Sequence, residues 1–173
     1  MSKSKLKKEL QTLAKEQLIE HIISLYDTFK PVKEYYQTYL NPDNIDEMFE
    51  KYKAIIVQEF YPNTKSWNPK MRFSVAKKVI ADFSALKPPP KLLADIMVTL
   101  CENTCKFTNE YGDMTEQFYN STVNNFERTL KYLQKEGLLD NFKWNCEECL
   151  RYAEPCGYGF PDEMNDLFDK YYG

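Results

Sequence analysis

Apolar residues recur at helical spacing from one end of this chain to the other, and prolines or Asn/Asp clusters cut the pattern into about seven segments. No stretch alternates apolar and polar residues over a strand length between turn residues, and no fixed-period repeat is present. The pattern therefore predicts an all-α fold, a single domain over 1–173, with its helices in a compact bundle or in stacked hairpins of the HEAT type.

A short helix is expected over 3–11 and a stronger one over 15–29, where Leu18, Ile22, Leu25 and Phe29 form one stripe. Ala14 stands where a capping box prefers Ser or Thr, so the break between the two pieces is weakly signalled. Pro31 suits the first turn of a third helix with Val32, Tyr35, Tyr36, Tyr39 and Leu40 inward, ended by Asn41 and Pro42. Asp43 or Asn44 can cap the next helix, which runs to Tyr61 through Met48, Tyr52, Ile56 and Phe60. The stretch PNTKSWN, 62–68, reads as a loop, and Pro69 as the start of a helix carrying Phe73, Ala76, Ile80 and Phe83 inward.

Three prolines, 88–90, make a rigid corner, because each ring removes a backbone donor and disfavours helix in the residue before it. The segment 91–111 is apolar over most of its circumference, as a central helix would be. After Gly112 and Asp113 come a long helix over 114–136 stopped by Gly137, another over 138–154, a turn over 155–160, and a closing helix opened by Pro161, Asp162 and Glu163.

Composition adds bounds. At 173 residues with 43% hydrophobic content the chain can bury one real core, and five glycines leave little room for tight hairpins. The opening SKSKLKKEL lacks the apolar core of a signal peptide, and no run approaches the roughly 20 apolar residues of a membrane span, so a cytoplasmic protein without membrane contact is expected. Five cysteines fit reduced thiols better than a disulfide framework. The net charge of −3 hides an asymmetry: residues 61–91 hold seven Lys/Arg against one acid, whereas 92–173 hold seven basic and fifteen acidic groups. Such blocks either pair within the fold or form a charged partner surface.

The chemistry-bearing residues are few. Cys146 and Cys149, with Cys101 and Cys105 a helical turn apart, could supply a tetrahedral zinc site, but Phe142, Cys146, Cys149, Leu150 and Ala153 form one apolar stripe, so buried free thiols are the simpler expectation. Glu147 and Glu148 between the paired cysteines would raise a thiol pKa and disfavour redox chemistry. The single histidine, His21, flanks the Leu18/Ile22/Leu25 stripe, and no phosphate loop or nucleophile turn accompanies it. No catalytic residues, metal ligands or cofactor are therefore expected. The 157–160 turn, with Gly157, Tyr158, Gly159 and Phe160, offers rings and close backbone approach beside a helix start. The basic residues Lys65, Lys70, Arg72, Lys77 and Lys78 beside Trp67 could grip a phosphate backbone and stack a base, although a pI of about 5.4 argues against nucleic acid. The opening LKKELQTLAKEQLIEHI resembles two-helix DNA-binding modules of the SAP type, but lacks their glycine and basic second helix.

KPVKEYYQTYLNP, preceded by LKKELQTLAKEQLIEHIISLYDTF, resembles a family of small bacterial proteins classed only as a domain of unknown function, and GYGFPDEMNDLF is similar to that family's carboxy-terminal pattern. The resemblance implies a small cytoplasmic all-helical domain and carries over no catalytic residues. The expected function is a non-enzymatic binding or scaffold module for a protein or peptide partner, with Trp67, Lys70, Arg72, Lys77, Lys78, Tyr158 and Phe160 as contact residues. Nucleic-acid binding through 65–78 and a structural zinc site are the alternatives; the sequence leaves the oligomeric state open.

Overall fold

The computed structural model describes residues 2–173, and the chain divides into two compact units, 1–44 and 45–173. The described residues form nine α-helices and one 3-10 turn, with no strand. The fold is all-α as expected, with nine helices where about seven were expected.

The amino-terminal unit holds α1 (Lys3–Thr12), α2 (Lys15–Thr28), α3 (Lys30–Leu40) and the 3-10 turn Pro42–Asn44. The weak break is real. Leu13 and Ala14 are extended, and Gln17 Oε1 accepts from the Ala14 N–H at 2.9 Å, half of a capping box, since alanine has no oxygen for the other half. Two inward stripes of the sequence reading are corrected. Ile22, Leu25 and Phe29 are 40%, 46% and 52% exposed, and α2 buries none of its residues. On α3, Tyr39 and Leu40 are exposed while Glu34 and Thr38 are buried. The tyrosines Tyr35, Tyr36 and Tyr39 pack against one another instead, at ring separations of 5.3 to 6.4 Å. Thr38 tolerates burial because its hydroxyl donates to the Glu34 carbonyl one turn back.

The second unit holds α4 (Ile45–Phe60), α5 (Phe73–Ala85), α6 (Pro90–Tyr111), α7 (Glu116–Glu136), α8 (Leu139–Ala153) and α9 (Phe160–Tyr172). The prolines deliver Pro90 at the first position of α6, where its missing N–H has no intrahelical partner to lose. α6 packs on α4, α5, α7 and α8 and buries residues around most of its circumference, among them Leu93, Ile96, Leu100, Cys101, Thr104 and Phe107. It is the central helix, as its all-round apolar sequence predicts. Neighbours in sequence pack as pairs, α4 with α5, α6 with α7, α8 with α9; α4 and α8 lie against α6, and α9 lies against α7. α5 and α7 both flank α6 without packing extensively on one another.

Termini follow local chemistry. The Thr115 hydroxyl accepts from the Phe118 N–H and starts α7, and Gly137 at φ +68 stops it, with Gly137 N–H on the Gln134 carbonyl and Leu138 N–H on the Leu133 carbonyl. At the same end of the unit as the α6–α7 turn, the buried Tyr119 hydroxyl accepts from the Met114 N–H at 3.2 Å, donates to Asp113 at 2.9 Å and lies 2.9 Å from the Thr108 hydroxyl. Asp113 in turn accepts from the Gly157 N–H, so one carboxylate ties the α6–α7 turn to the α8–α9 turn.

Tyr119→Phe keeps the ring contact with Phe160 at 4.6 Å but removes the hydroxyl from this network. It should destabilise the protein by about 1–3 kcal/mol, read from the urea midpoint with an unchanged slope.

Candidate functional site

The polypeptide between α4 and α5 is set by one carboxylate. Glu59, on the last turn of α4, is buried, and its oxygens accept from Arg72 Nε at 3.0 Å, Arg72 Nη2 at 2.7 Å and the Arg72 backbone N–H at 3.2 Å, while its carbonyl accepts from the Met71 N–H at 2.8 Å. These four bonds hold Met71 at φ +52, a left-handed conformation that costs a non-glycine residue about 1–2 kcal/mol. Helix cannot propagate through it. α5 therefore begins at Phe73 and not at Pro69 as the sequence suggested, and Lys70, Met71 and Arg72 belong to the loop.

The left-handed turn helps form a cavity of about 410 Å³ between the loop and the start of α7, with Met71, Phe73, Met114 and Phe118 as its apolar lining and Lys70, Gln117 and Ser121 among its polar groups. Further along the same two helices, Lys77 and Ile80 of α5 and Asn125 and Arg128 of α7 line a second, small cavity of about 40 Å³ with Met97 and Leu100 of α6. Both cavities lie along the seam between α5 and α7, the α5–α7 groove, about 13 Å apart along α7 at 1.5 Å per residue, and α6 lines the second of them. One end is thioether and aromatic, a surface that adapts to different apolar side chains. The other carries two cations, Lys77 and Arg128.

The sequence-predicted contact residues separate in space. Lys70 and Lys77 line the groove. Arg72 is engaged by Glu59, and Lys78 pairs with Asp82 at 2.6 Å on the neighbouring face of α5. Trp67 is half-exposed and lies over Phe107 and Tyr111, 4.6 Å from the latter, so the loop is pinned by the ring that was to stack a base. In the 157–160 turn only one ring is available: Tyr158 is 73% exposed, whereas Phe160 is 2% exposed and packs on Tyr119. Met71, Phe73, Met114, Phe118, Asn125 and Arg128 are not among the contact residues expected from the sequence, in which Phe73 reads only as a core position.

The cysteines occupy core positions. Cys101 and Cys105 on α6 and Cys146 and Cys149 on α8 are buried, and Cys156 is half-buried. Cys101 Sγ lies 3.4 Å from the Thr129 hydroxyl, and the Tyr172 hydroxyl donates to Cys146 Sγ at 3.7 Å. Burial and the neighbouring thiols push Cys101 well up and Cys146 to about 12; a hydrogen bond with Cys105 and burial do the same for Cys149. Among the described residues no three His, Cys, Asp or Glu side chains are grouped so as to hold a metal ion. Among the same residues no helix is long and apolar enough to cross a membrane.

Two outcomes follow for solution measurements. The hydrogen bonds from Arg72 hold the Glu59 carboxyl below its ordinary range, so the ion pair stabilises the fold above about pH 4.3 and its contribution is lost as pH falls through the lowered value. Wild type should thus exceed Glu59→Gln in thermal midpoint at neutral pH, the gap closing in acid; a gap independent of pH would contradict the pairing. Alkylation of the native protein at pH 8 should label Cys156 first and leave the four buried thiols protected until denaturant is added, as read by peptide mass mapping.

No curated protein and no solved structure matches the chain. A family model does match residues 1–171, and the chain belongs to that family, described as a family of unknown function (DUF6155).

Proposed function

We propose that this chain is a non-enzymatic binding module that takes an acidic amphipathic helix of a protein partner in the α5–α7 groove. The observation that carries the reading is the groove itself, apolar and adaptable at the Met71/Met114 end and cationic at the Lys77/Arg128 end. Read as three stacked hairpins, α4–α5, α6–α7 and α8–α9, the second unit would be an array of the HEAT type, and an open seam between second helices is where such arrays present a concave surface. A helix laid along the seam would drop one large apolar side chain into the 410 Å³ cavity and place a carboxylate two to three turns away opposite Lys77 and Arg128. Charge there would set orientation and on-rate; the apolar anchor would supply most of the affinity.

Fluorescence anisotropy against a library of labelled helical peptides, each with one apolar anchor and an acidic residue seven to ten positions away, tests this. A binder of roughly micromolar affinity should be weakened about tenfold by Lys77→Glu/Arg128→Glu and by Met71→Gly. Met71→Gly also relieves the left-handed strain, so folding stability should change by less than about 1 kcal/mol and the loss is one of contact. Binding indifferent to both variants would overturn the proposal, as would a steeply salt-dependent affinity for single-stranded oligonucleotide lost in the charge variants, which would make nucleic acid the ligand.

A further inference from the structure

The amino-terminal unit carries a second, independent surface. α1 has ten residues, buries none of them and packs extensively on no other helix, while Leu6 is 44% exposed. A lone helix of that length is marginal in water, since isolated helices shorter than about 12–15 residues do not offset their nucleation cost. α2, beside it in sequence, also buries no residue and exposes Ile19 at 50% and Ile23 at 53%. Those two isoleucines line a shallow depression of about 440 Å³ with Glu20, Ser24 and Asp27. One helix lacks a platform and the other lacks a cover.

Their charges are opposite. α1 holds Lys3, Lys5, Lys7 and Lys8 against Glu9, whereas α2 holds Glu16, Glu20 and Asp27 against Lys15. Leu6 and Leu10 lie on one face of α1 with Lys3 and Lys7 alongside; Ile19 and Ile23 lie on one face of α2 with Glu20 and Asp27 alongside. Within one chain the extended pair Leu13–Ala14 separates the two helices, and they do not pack extensively.

We infer that the occupant of the Ile19/Ile23 face is α1 of a second copy of this chain, and that the exchange is reciprocal, giving a two-fold dimer through the amino-terminal unit. Leu6 and Leu10 of each chain would cover Ile19 and Ile23 of the other, with Lys3 and Lys7 facing Glu20 and Asp27. A two-fold arrangement uses each surface twice and closes, so the assembly stops at two chains.

Sedimentation equilibrium of the full chain over a range of concentrations should give twice the chain mass. Lys3→Glu/Lys7→Glu and, separately, Glu20→Lys/Asp27→Lys should each weaken dimerisation roughly tenfold or more, because each turns four attractive pairs of the dimer repulsive. Mixing the two variants is the decisive arm: in the mixed dimer both contacts regain opposite charges, so heterodimer should form at near wild-type strength. Circular dichroism of each variant reports helicity, and recovery on mixing separates lost pairing from lost folding. A monomer at every soluble concentration overturns the inference, and so does a dimer unaffected by either variant. Retention of a monomeric chain on duplex DNA or on anionic vesicles, lost in Lys3→Glu/Lys7→Glu, would assign α1 to that surface and likewise overturn it. None of these readouts involves the α5–α7 groove.

Discussion

The second unit depends most on a buried carboxylate at the end of a helix. Glu59 sits where α4 runs out of backbone donors for its carbonyls, and its side chain gathers three donors from Arg72 while its carbonyl takes the Met71 N–H. A buried ion of this kind is destabilising unless every lone pair is used, and here the demand for partners is what bends the chain. Met71 is forced left-handed, α5 is delayed to Phe73, and the loop before it is turned toward α7. The apolar cavity of the groove is thus a by-product of satisfying one charge.

That constraint works because α6 supplies a rigid floor. α5 and α7 need not pack on one another, since each packs on α6. α5 and α7 can therefore remain apart as walls. The Trp67 ring over Phe107 and Tyr111 fixes the middle of the same loop to α6, so the segment from Tyr61 to Arg72 is held at Trp67 and at Arg72 without secondary structure. The opposite solution appears at the α6–α7 turn, where Tyr119, Asp113 and Thr108 knit two turns with neutral and charge-assisted hydrogen bonds. Fixed backbone at both places leaves the side chains beside them on a rigid frame.

Much of the fold was legible before any coordinates. The prolines at 88–90, Gly137 and Pro161 act at or next to helix ends and marked those boundaries closely, because proline geometry and positive φ are local properties. The central position of α6 was legible too, since a helix apolar all round has no face to give to water. The stripes of α2 and α3 misled. Periodicity reports that a helix has an apolar face, not that the same chain covers it, and α2 keeps Ile22 and Leu25 substantially exposed.

The site was legible only in part. Lys70 and Lys77 were chosen for charge and do line the groove, but Arg72, equal to them in sequence, is consumed by Glu59, and Phe160, equal to Tyr158 as a ring, is buried. Which cation is free and which ring is exposed depends on partners thirteen and forty-one residues away, Glu59 for Arg72 and Tyr119 for Phe160. The sequence by itself determined helix identity, most helix ends and the burial of α6, because these follow from interactions within one or two turns. Tertiary structure alone decided the left-handed turn at Met71, the gap between α5 and α7, and the side chains that line it, because those follow from long-range satisfaction of buried charge and packing on a shared helix.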